Sequence, residues 1–323
     1  MPIITDSEHQ ALTRGAGLVD LAERTRVELT GDDRASFLHN LSTNDIKGLA
    51  AGSGCEAFLL NARGHVLGHV FVICRPQSLV IETVPGQQES LLAHLDRYLI
   101  REKVELHPRT ADWGELLLAG PRAAELLSSL LGAPLPADRL ANLEAQWRDQ
   151  PLTIVRVELT QPGGYLIFCP QAAALTVADA LAAHGAVRCS STAFDTARIE
   201  AGFPWYGRDI TDKTLPQEVA RDQLAISFKK GCYIGQETVA RIDALGHVNK
   251  TLVGVRFDRA ELPPAGAELR SSGEMVGQIT SAVFSPRLGS ALGLAYVRRG
   301  SDRAGDQLES AFGAAEVVAL PFA

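Results

Sequence analysis

The sequence predicts an α+β protein with two α+β lobes, followed by a small antiparallel β-barrel or sandwich. Up to about residue 250, strand patterns alternate with helical patterns, and the order of strands and helices in the second half parallels that in the first. After Thr251, short strands alternate with Pro/Gly turns and no helical pattern remains. A chain of 323 residues exceeds one ordinary core, so we expect domains over 1–110, 111–250 and 251–323.

The first lobe begins with a half-buried strand over 26–30, in which polar and apolar residues alternate. The turn Gly31-Asp32-Asp33 provides a cap for a helix over 34–41, which has Phe37, Leu38 and Leu41 on one face. The other elements expected in this lobe are strands over 55–61 and 66–74 joined by a hairpin turn, a strand over 79–83, and a helix from about 87 to 101.

In the second lobe, Pro121 opens and Gly132 closes an apolar helix over 122–131. The turn Gln161-Pro162-Gly163-Gly164 predicts a hairpin between two strands. The remaining predicted elements are strands over 104–107, 115–119, 153–160 and 165–169, a helix over about 172–184, and C-terminal strands over 251–257, 274–283, 291–297 and 315–320.

Composition limits the functional classes. The net charge of −7 and the pI of about 5.7 argue against broad capture of nucleic acid or of an anionic membrane, so we expect no stable direct nucleic-acid binding. Residues 221–250 nevertheless carry five cations and three carboxylates, a local balance of +2 that suits a small anion. The first ten residues lack a secretory pattern and no apolar run reaches the ~18 residues of a membrane span, so we expect a cytoplasmic protein.

The stretch from Phe228 to Arg241 has the densest run of unusual residues. Its motif surrounds Cys232 with Lys229, Lys230, Gly231, Tyr233, Gly235, Gln236 and Glu237. Lysines near a thiol favour the reactive thiolate, and the two glycines permit a tight loop or a close approach to the main chain. A surface loop that tolerates a cysteine is the alternative interpretation. The other four cysteines are widely spaced and suit core positions, so no disulfide framework is predicted.

A second informative stretch runs from Arg198 to Asp209. Glu200, between a strand-like run and a Gly-Pro turn, is followed by Trp205 and Tyr206. A carboxylate accepts paired N–H bonds from a guanidine-like edge, and aromatic faces stack on flat heterocycles, so these residues could form a heterocycle pocket. The alternative is that Glu200 pairs with Arg198 or Arg208 at the surface.

No metal site is predicted. His65 and His69 lie in a strand pattern, where positions four apart are about 13 Å from each other and cannot chelate one ion. The chain also lacks a phosphate-binding G-x-x-x-x-G-K-[ST] loop and a G-x-S-x-G nucleophile elbow.

Three segments together resemble the YgfZ family of folate-binding proteins, relatives of the T-protein (aminomethyltransferase) of the glycine cleavage system. They are L-T-G-D-D-R-x-x-F-L-H-N-L-S-T-N-D-I at 29–46, R-I-E-A-G-F-P at 198–204 and F-K-K-G-C-Y-I-G-Q-E at 228–237. The resemblance covers nearly the whole chain. It implies a three-lobed ring around a central tetrahydrofolate site, with a C-terminal barrel, and a role in maintaining iron–sulfur enzymes, including those that modify tRNA.

The resemblance also implies roles for particular residues. Glu200 matches the glutamate that binds the pterin ring in T-proteins. Arg24 and Phe194 fall where some members carry aromatic residues implicated in folate binding. Asn61, in the N-x-x-G turn, and Arg241, at the end of the Cys232 stretch, complete the expected folate-binding set.

One departure from the T-protein pattern bears on the reaction. T-proteins carry an acidic pair after the N-x-x-G turn, where this chain has Gly68 and His69. Three hypotheses follow. The first is a folate-dependent accessory protein for iron–sulfur cluster assembly or repair, with tetrahydrofolate bound near Glu200 and Cys232 acting at the rim of that site. The second is a one-carbon transferase that uses His69 as its base, and the third is a non-catalytic folate sensor or scaffold. A single cysteine cannot hold a cluster, so any contact with iron or sulfur would be transient.

Overall fold

One antiparallel sheet, one mixed sheet and a closed barrel make up the computed structural model, which describes residues 6–322. The α-helices of this part are α1 (Asp6–Arg14), α2 (Arg34–Leu41), α3 (Gln88–Asp96), α4 (Ala123–Leu131), α5 (Ala174–Ala183), α6 (Ser191–Glu200), α7 (Asp222–Ala225) and α8 (Gln236–Leu245). The strands before α6 are β1 (Gly17–Asp20), β2 (Arg24–Thr30), β3 (Gly54–Leu60), β4 (Val66–Cys74), β5 (Leu79–Pro85), β6 (Glu105–Pro108), β7 (Trp113–Ala119), β8 (Asn142–Trp147), β9 (Gln150–Val157), β10 (Gly164–Pro170) and β11 (Val187–Cys189). The strands after α8 are β12 (Lys250–Phe257), β13 (Glu268–Ser271), β14 (Glu274–Ser285), β15 (Ser290–Arg298), β16 (Gln307–Ser310) and β17 (Gly313–Val318).

The first lobe is a five-stranded antiparallel sheet in the order β3-β4-β5-β2-β6. One face packs on α2 and α3, where Phe37, Leu38, Leu91 and Leu95 are buried among strand residues. The helix over 34–41 and the strand over 66–74 have the predicted bounds. The helix predicted to reach Arg101 ends at Asp96, and the chain continues as turns.

The second lobe is a six-stranded sheet in the order β11-β1-β7-β10-β9-β8. Its central strands are antiparallel, whereas β1 and β11 pair in parallel at one edge. Strand β1, at residues 17–20, thus belongs to this second sheet. The chain therefore passes from the second lobe to the first after β1, a crossing that a domain boundary at residue 110 does not predict. Gly132 ends α4 in the left-handed conformation (φ 64°), as expected for a residue just past a helix.

The two sheets share a buried core. Phe71 and Val80 of the first sheet pack with Leu117 and Phe168 of the second. Phe194 of α6 joins the same core, so α6 is held between the lobes. The predicted strand-like run before Glu200 is wrong: this segment is α6, which begins after Ser190, whose Oγ accepts the Ala193 amide at 3.3 Å.

The C-terminal region is a closed antiparallel barrel in the order β12-β15-β14-β13-β16-β17. The predicted antiparallel third domain is confirmed, and β13 and β16, too short to show in the sequence pattern, close it. The barrel contacts α6 through β14 and β15. In the described part of the chain, no helix has the length and apolar character needed to cross a bilayer.

Candidate functional site

A cavity of about 890 Å³ lies beside the start of α6 and the connection between β1 and β2. We call it the Trp205 cavity; its lining includes Arg24, Phe194, Asp195, Trp205 and Arg208. The rings of Phe194 and Trp205 meet edge to face, with centroids 5.9 Å apart. The guanidinium carbon of Arg24 lies 5.0 Å from the centroid of the Trp205 ring. A flat aromatic surface is therefore combined with a cation at one wall.

Arg24 is buried among charged groups. It is only 3 % exposed, and its Nε donates to Glu82 Oε1 and lies 3.4 Å from Glu115 Oε1. A second buried arginine, Arg26, donates to Glu115 Oε2 at 2.6 Å. The Nη1 of Arg24 has no hydrogen-bond partner among the described residues. Buried donors are ordinarily satisfied, so Nη1 is an unused donor in a side chain that lines the cavity.

The carboxylates of Glu82 and Glu115 lie behind Arg24 and pair with its positive charge. Burial, with the neighbouring Glu82, raises the pKa of Glu115 to about 8. Within the fully buried cluster of Arg24, Arg26, Glu82 and Glu115, Glu115 is thus the carboxylate that burial favours in its protonated form. The sequence prediction missed both carboxylates; a glutamate inside an apolar strand, as in V-I-E-T and G-E-L-L-L, was the available signal.

The position of Trp205 is fixed from behind by Asp209. The Trp205 amide donates to Asp209 Oδ2 at 2.8 Å, and Arg198 Nη1 donates to the same oxygen at 3.0 Å. The other oxygen, Oδ1, accepts the hydroxyls of Thr280 and Ser281 on β14. Arg198, one of the two arginines suggested as partners for Glu200, therefore binds Asp209, and the barrel helps to hold the wall of the cavity.

Glu200 lies at the other end of α6 and is not among the described residues that line the Trp205 cavity. Its carboxylate is 3 % exposed; His9 Nε2 lies 3.0 Å from each oxygen, and the Ser285 hydroxyl donates to Oε1. Arg287 Nε is 3.6 Å from Oε2. Although burial acts in the opposite direction, the hydrogen bonds from His9 and Ser285 lower the pKa of Glu200. These contacts join α1, α6 and the barrel.

The Cys232 loop, residues 228–235, lies between α7 and α8 and is attached through its own backbone and side chains. Lys230 Nζ donates to three carbonyls at the end of α2, those of His39, Ser42 (2.6 Å) and Asn44 (3.0 Å). Burial lowers the pKa of Lys230 to about 8, although the nearby Asp45 carboxylate acts in the opposite direction. With its three N–H bonds used, Lys230 is an anchor of the loop. Its predicted action on the Cys232 thiol is not supported by this geometry.

The rest of the motif completes this attachment. The Ile234 amide donates to Asn40 O at 3.1 Å, and the Tyr233 amide donates to Gln236 Oε1 at 3.2 Å. Gly235 has φ 81°, and a Cβ there would lie 2.7 Å from Asn61 O. Only glycine can make this close approach to the turn after β3. Lys229, Gly231 and Cys232 are exposed, and a Cβ on Gly231 would meet no atom within 4 Å.

The other predicted site residues do not converge on the Trp205 cavity. The Asn61 side chain accepts the amides of Arg63 (2.9 Å) and His65 (3.1 Å) and shapes the turn against the Cys232 loop. Arg241 and Glu237 are exposed on α8. Of the five residues expected to bind folate, the structure therefore brings Arg24 and Phe194 together around Trp205 and places Glu200, Asn61 and Arg241 elsewhere.

His69, the suggested alternative base, is buried at 6 % exposure. Its Nε2 lies 2.7 Å from Glu56 Oε1, and its ring stacks on Phe203 with centroids 5.5 Å apart. Burial lowers the pKa of His69. Glu56 also accepts hydrogen bonds from Arg221 and Arg139, so this is a buried ionic cluster between the lobes.

Comparison with known proteins assigns the family. Residues 2–230 match the GCVT N-terminal domain, and residues 250–323 match the glycine cleavage T-protein C-terminal barrel domain. The chain is 30% identical over 292 residues to an aminomethyltransferase of Rubrobacter xylanophilus, covering 90% of this chain and 78% of that protein. A probable aminomethyltransferase of Natronomonas pharaonis is also 30% identical, with 92% and 84% covered. The chain belongs to the GCVT, or T-protein, family.

The fold agrees with that assignment. The crystal structure of the glycine cleavage system aminomethyltransferase T from Bartonella henselae matches with a TM-score of 0.90 at 23% identity. The match covers 100% of this chain and 91% of that one. The predicted T-protein-like architecture of two α+β lobes and a C-terminal barrel is confirmed.

Proposed function

We propose that this protein binds a reduced folate, tetrahydrofolate or a one-carbon derivative, with the pterin ring in the Trp205 cavity. The observation that carries the proposal is the pairing of Arg24 with Trp205 at the cavity wall, with one buried guanidinium N–H left unpartnered among the described residues. A pterin offers a flat ring for the aromatic wall of Phe194 and Trp205 and acceptor atoms for the Arg24 guanidinium. The volume of about 890 Å³ lies within the usual range for small-molecule pockets.

Carboxylates at the same cavity suit the remaining edge of a pterin. Asp20, Glu23 and Asp195 are among its lining residues, and a carboxylate pairs well with a guanidine-like amino edge. Asp195 already accepts hydrogen bonds from Arg198 (2.5 Å) and Arg208 (3.0 Å), which leaves Glu23 as the more available acceptor. Glu200 supports the site through α6; a direct contact with folate would require His9 or Ser285 to release its carboxylate. Asn61 and Arg241 would contact the ligand only if it extended towards the Cys232 loop.

We further propose that the protein is an accessory factor for iron–sulfur cluster assembly or repair, which supports tRNA-modifying enzymes indirectly. The complete K-G-C-Y-I-G-Q-E motif and its geometry support this role. Lys230, Tyr233, Gly235 and Gln236 hold the loop in place, while the Cys232 thiol is left exposed. A fixed loop with an exposed thiol is suited to contact with a partner protein. Cys232 could attack a sulfur of a partner's disulfide, with the other thiolate as the leaving group.

The folate part is tested by titrating tetrahydrofolate into the wild type under anaerobic, reducing conditions, with quenching of tryptophan fluorescence as the readout. Phe194→Ala should weaken binding about tenfold, because its ring holds the edge of Trp205. Phe284→Ala, at an exposed barrel position, is the control and should bind as the wild type does. Absence of binding to the wild type would overturn the folate proposal.

The thiol part is tested in cells that lack the endogenous protein. Iron–sulfur enzyme activity should fall in cells carrying Cys232→Ala and remain normal with Cys74→Ala, a change at another free cysteine. Folate binding by purified Cys232→Ala should be unchanged, since Cys232 does not line the cavity. If the enzymes keep full activity with Cys232→Ala while loss of the whole loop removes partner proteins from a pull-down, the loop is a scaffold.

A second candidate is a folate-dependent aminomethyl transfer, favoured by the relatives that are named aminomethyltransferases. His69 is poorly placed as its base, because Glu56 and two aromatic rings enclose it. Turnover of a methylamine donor by the purified protein with tetrahydrofolate would establish this activity. No turnover with several donors would leave the accessory role as the function.

A further inference from the structure

A groove of about 480 Å³ lies beside the Cys232 loop and follows helix α2 along its length. We call it the α2 groove. Its apolar lining residues come from α2, from the chain after α3 and from the loop itself: Phe37, Leu41, Tyr98 and Ile234. Its polar lining residues are Asp33, Ser36, Asn40, Arg101 and Glu102. None of these residues lines the Trp205 cavity.

One end of the α2 groove is joined to the segment that carries the exposed thiol. The Ile234 amide donates to Asn40 O at 3.1 Å, and both residues line the groove. Cys232 precedes Ile234 by two residues, so their Cα atoms lie within about 8 Å of each other. Helix α2 has eight residues and is about 12 Å long, a length that an extended peptide of about four residues can follow.

Two polar side chains of the groove are unused. The side chains of Asn40 and Arg101 are exposed and make no hydrogen bond or ion pair within the described part of the chain. A side-chain amide can donate to a carbonyl and accept from an N–H of a peptide backbone. A guanidinium forms its strongest hydrogen bonds with a carboxylate. The groove therefore offers backbone pairing at Asn40 and charge pairing at Arg101.

The carboxylates at the Arg101 end are engaged by backbone amides. Glu102 Oε2 accepts the amides of Ile100 and Arg101, at 3.0 Å each. Asp33 Oδ2 accepts the Lys103 amide at 2.9 Å. These bonds hold both carboxylates against the chain after α3. Arg101 is thus the charged side chain of the groove that a ligand can pair with.

Exposed apolar side chains adjoin the groove. Ile100, which precedes Arg101, is 85 % exposed, and Phe228, at the start of the Cys232 loop, is 50 % exposed. Lys229 follows Phe228 and is a second exposed cation without an ion pair among the described residues. Apolar side chains beside unpaired cations suit a partner surface that carries apolar and acidic side chains.

We propose that the α2 groove binds an extended segment of the partner protein, with acidic side chains at Arg101 and the partner's cysteine at Cys232. The inference rests on the partner-protein role proposed above for this thiol. The Cys232 thiolate attacks the sulfur of the segment's cysteine in a disulfide; a new S–S bond forms, and the other sulfur leaves as a thiolate. The groove selects the partner by its sequence, which an exposed thiol by itself cannot do.

The test measures how fast Cys232 reacts with short peptides whose cysteine carries thionitrobenzoate in a mixed disulfide. Attack on the cysteine sulfur releases coloured thionitrobenzoate, the better leaving group. The peptide Cys-Ala-Leu-Ala-Glu-Glu and its reverse present the acidic residues in either chain direction, and matching peptides have lysine in place of glutamate. The wild type should react about tenfold faster with the acidic peptide of the preferred direction than with its lysine counterpart, and added salt should reduce this preference. Cys232→Ala gives the background rate of the other four cysteines.

Variants of the groove locate the effect. Arg101→Glu should reverse the preference, because a carboxylate replaces the cation that pairs with the acidic side chains. Arg97→Glu, the same change at an exposed residue at the end of α3 that does not line the groove, is the matched control and should keep the preference. Asn40→Ala should slow the acidic peptide. It should not slow the mixed disulfide of free cysteine, which is too short to occupy the groove.

The outcomes separate this inference from the proposed role of the thiol. Equal wild-type rates with acidic and lysine peptides, or an unchanged preference in Arg101→Glu, would overturn the groove as a binding site while Cys232 remains a reactive thiol. If Cys232 reacts neither with the peptides nor with the mixed disulfide of free cysteine, the proposed exchange chemistry fails and the groove proposal with it. Because Arg101 and Asn40 are exposed, their variants should melt at the wild-type temperature, which excludes a folding defect.

Discussion

The Cys232 loop and the Trp205 cavity carry the two halves of the proposed function, and they are built in opposite ways. In the loop, the half-buried cation Lys230 donates to three backbone carbonyls, and the Cys232 thiol is exposed. At the cavity, the cation Arg24 is buried against carboxylates and retains an N–H with no partner in the described residues. The loop is complete by itself and presents a thiol outward. The cavity has hydrogen-bonding capacity that a ligand can use.

The largest effect is expected at the charge cluster behind the cavity. Glu82→Gln removes the carboxylate that pairs with Arg24 in a fully buried site. We expect a loss of about 3 kcal/mol in the free energy of unfolding, at the lower end for broken buried pairs, because Glu115 can ionise more fully in compensation. Glu144→Gln, at an exposed pair with Arg75, is the control and should have little effect in the same denaturant titration. Equal effects of the two changes would show that Arg24 does not depend on Glu82.

The anchoring role of Lys230 gives the next largest effect. Lys230→Met keeps the length of the side chain and removes three charged hydrogen bonds. The expected cost is about 2 kcal/mol, together with faster hydrogen exchange at the Ile234 amide, which is bonded to Asn40 O. Lys229→Met, at the adjacent exposed position, should leave the exchange rate unchanged. Slow exchange in Lys230→Met would mean that the backbone alone holds the loop.

The pH dependence of stability should also distinguish the two regions. The pKa of Glu115 is raised from 4.5 to about 8, so the folded protein holds this proton more tightly than the unfolded chain does. Its contribution is complete below pH 4.5 and is lost as the pH rises towards 8. Over this window Glu115→Gln should lose stability less steeply than the wild type, by at most about 1.4 kcal/mol for each pH unit. Parallel profiles would contradict the assignment of this titration to Glu115.

Much of the fold was predictable from local pattern. The bounds of α2 and β4, the hairpin between β9 and β10 and the helix end at Gly132 follow from side-chain periodicity, turn residues and the freedom of glycine. The missed elements depend on distant contacts. Strand β1 has only four residues and is formed because it pairs with β7 and β11. In α6, Arg198 and Glu200 are buried in contacts with β14 and α1, which the local sequence pattern does not indicate.

The candidate site likewise has features that the local sequence predicts and features that depend on distant contacts. The sequence by itself determined the three-part fold and the motif around Cys232, and its resemblance to a known family suggested Arg24 and Phe194 as members of a folate site. The tertiary structure decided that these two meet at Trp205, that Glu200 is enclosed by His9 and Ser285, and that Lys230 anchors the loop instead of serving the thiol. The physical reason is that a motif specifies which groups are present, whereas burial and hydrogen-bond partners far along the chain decide which of them remain free to bind a ligand.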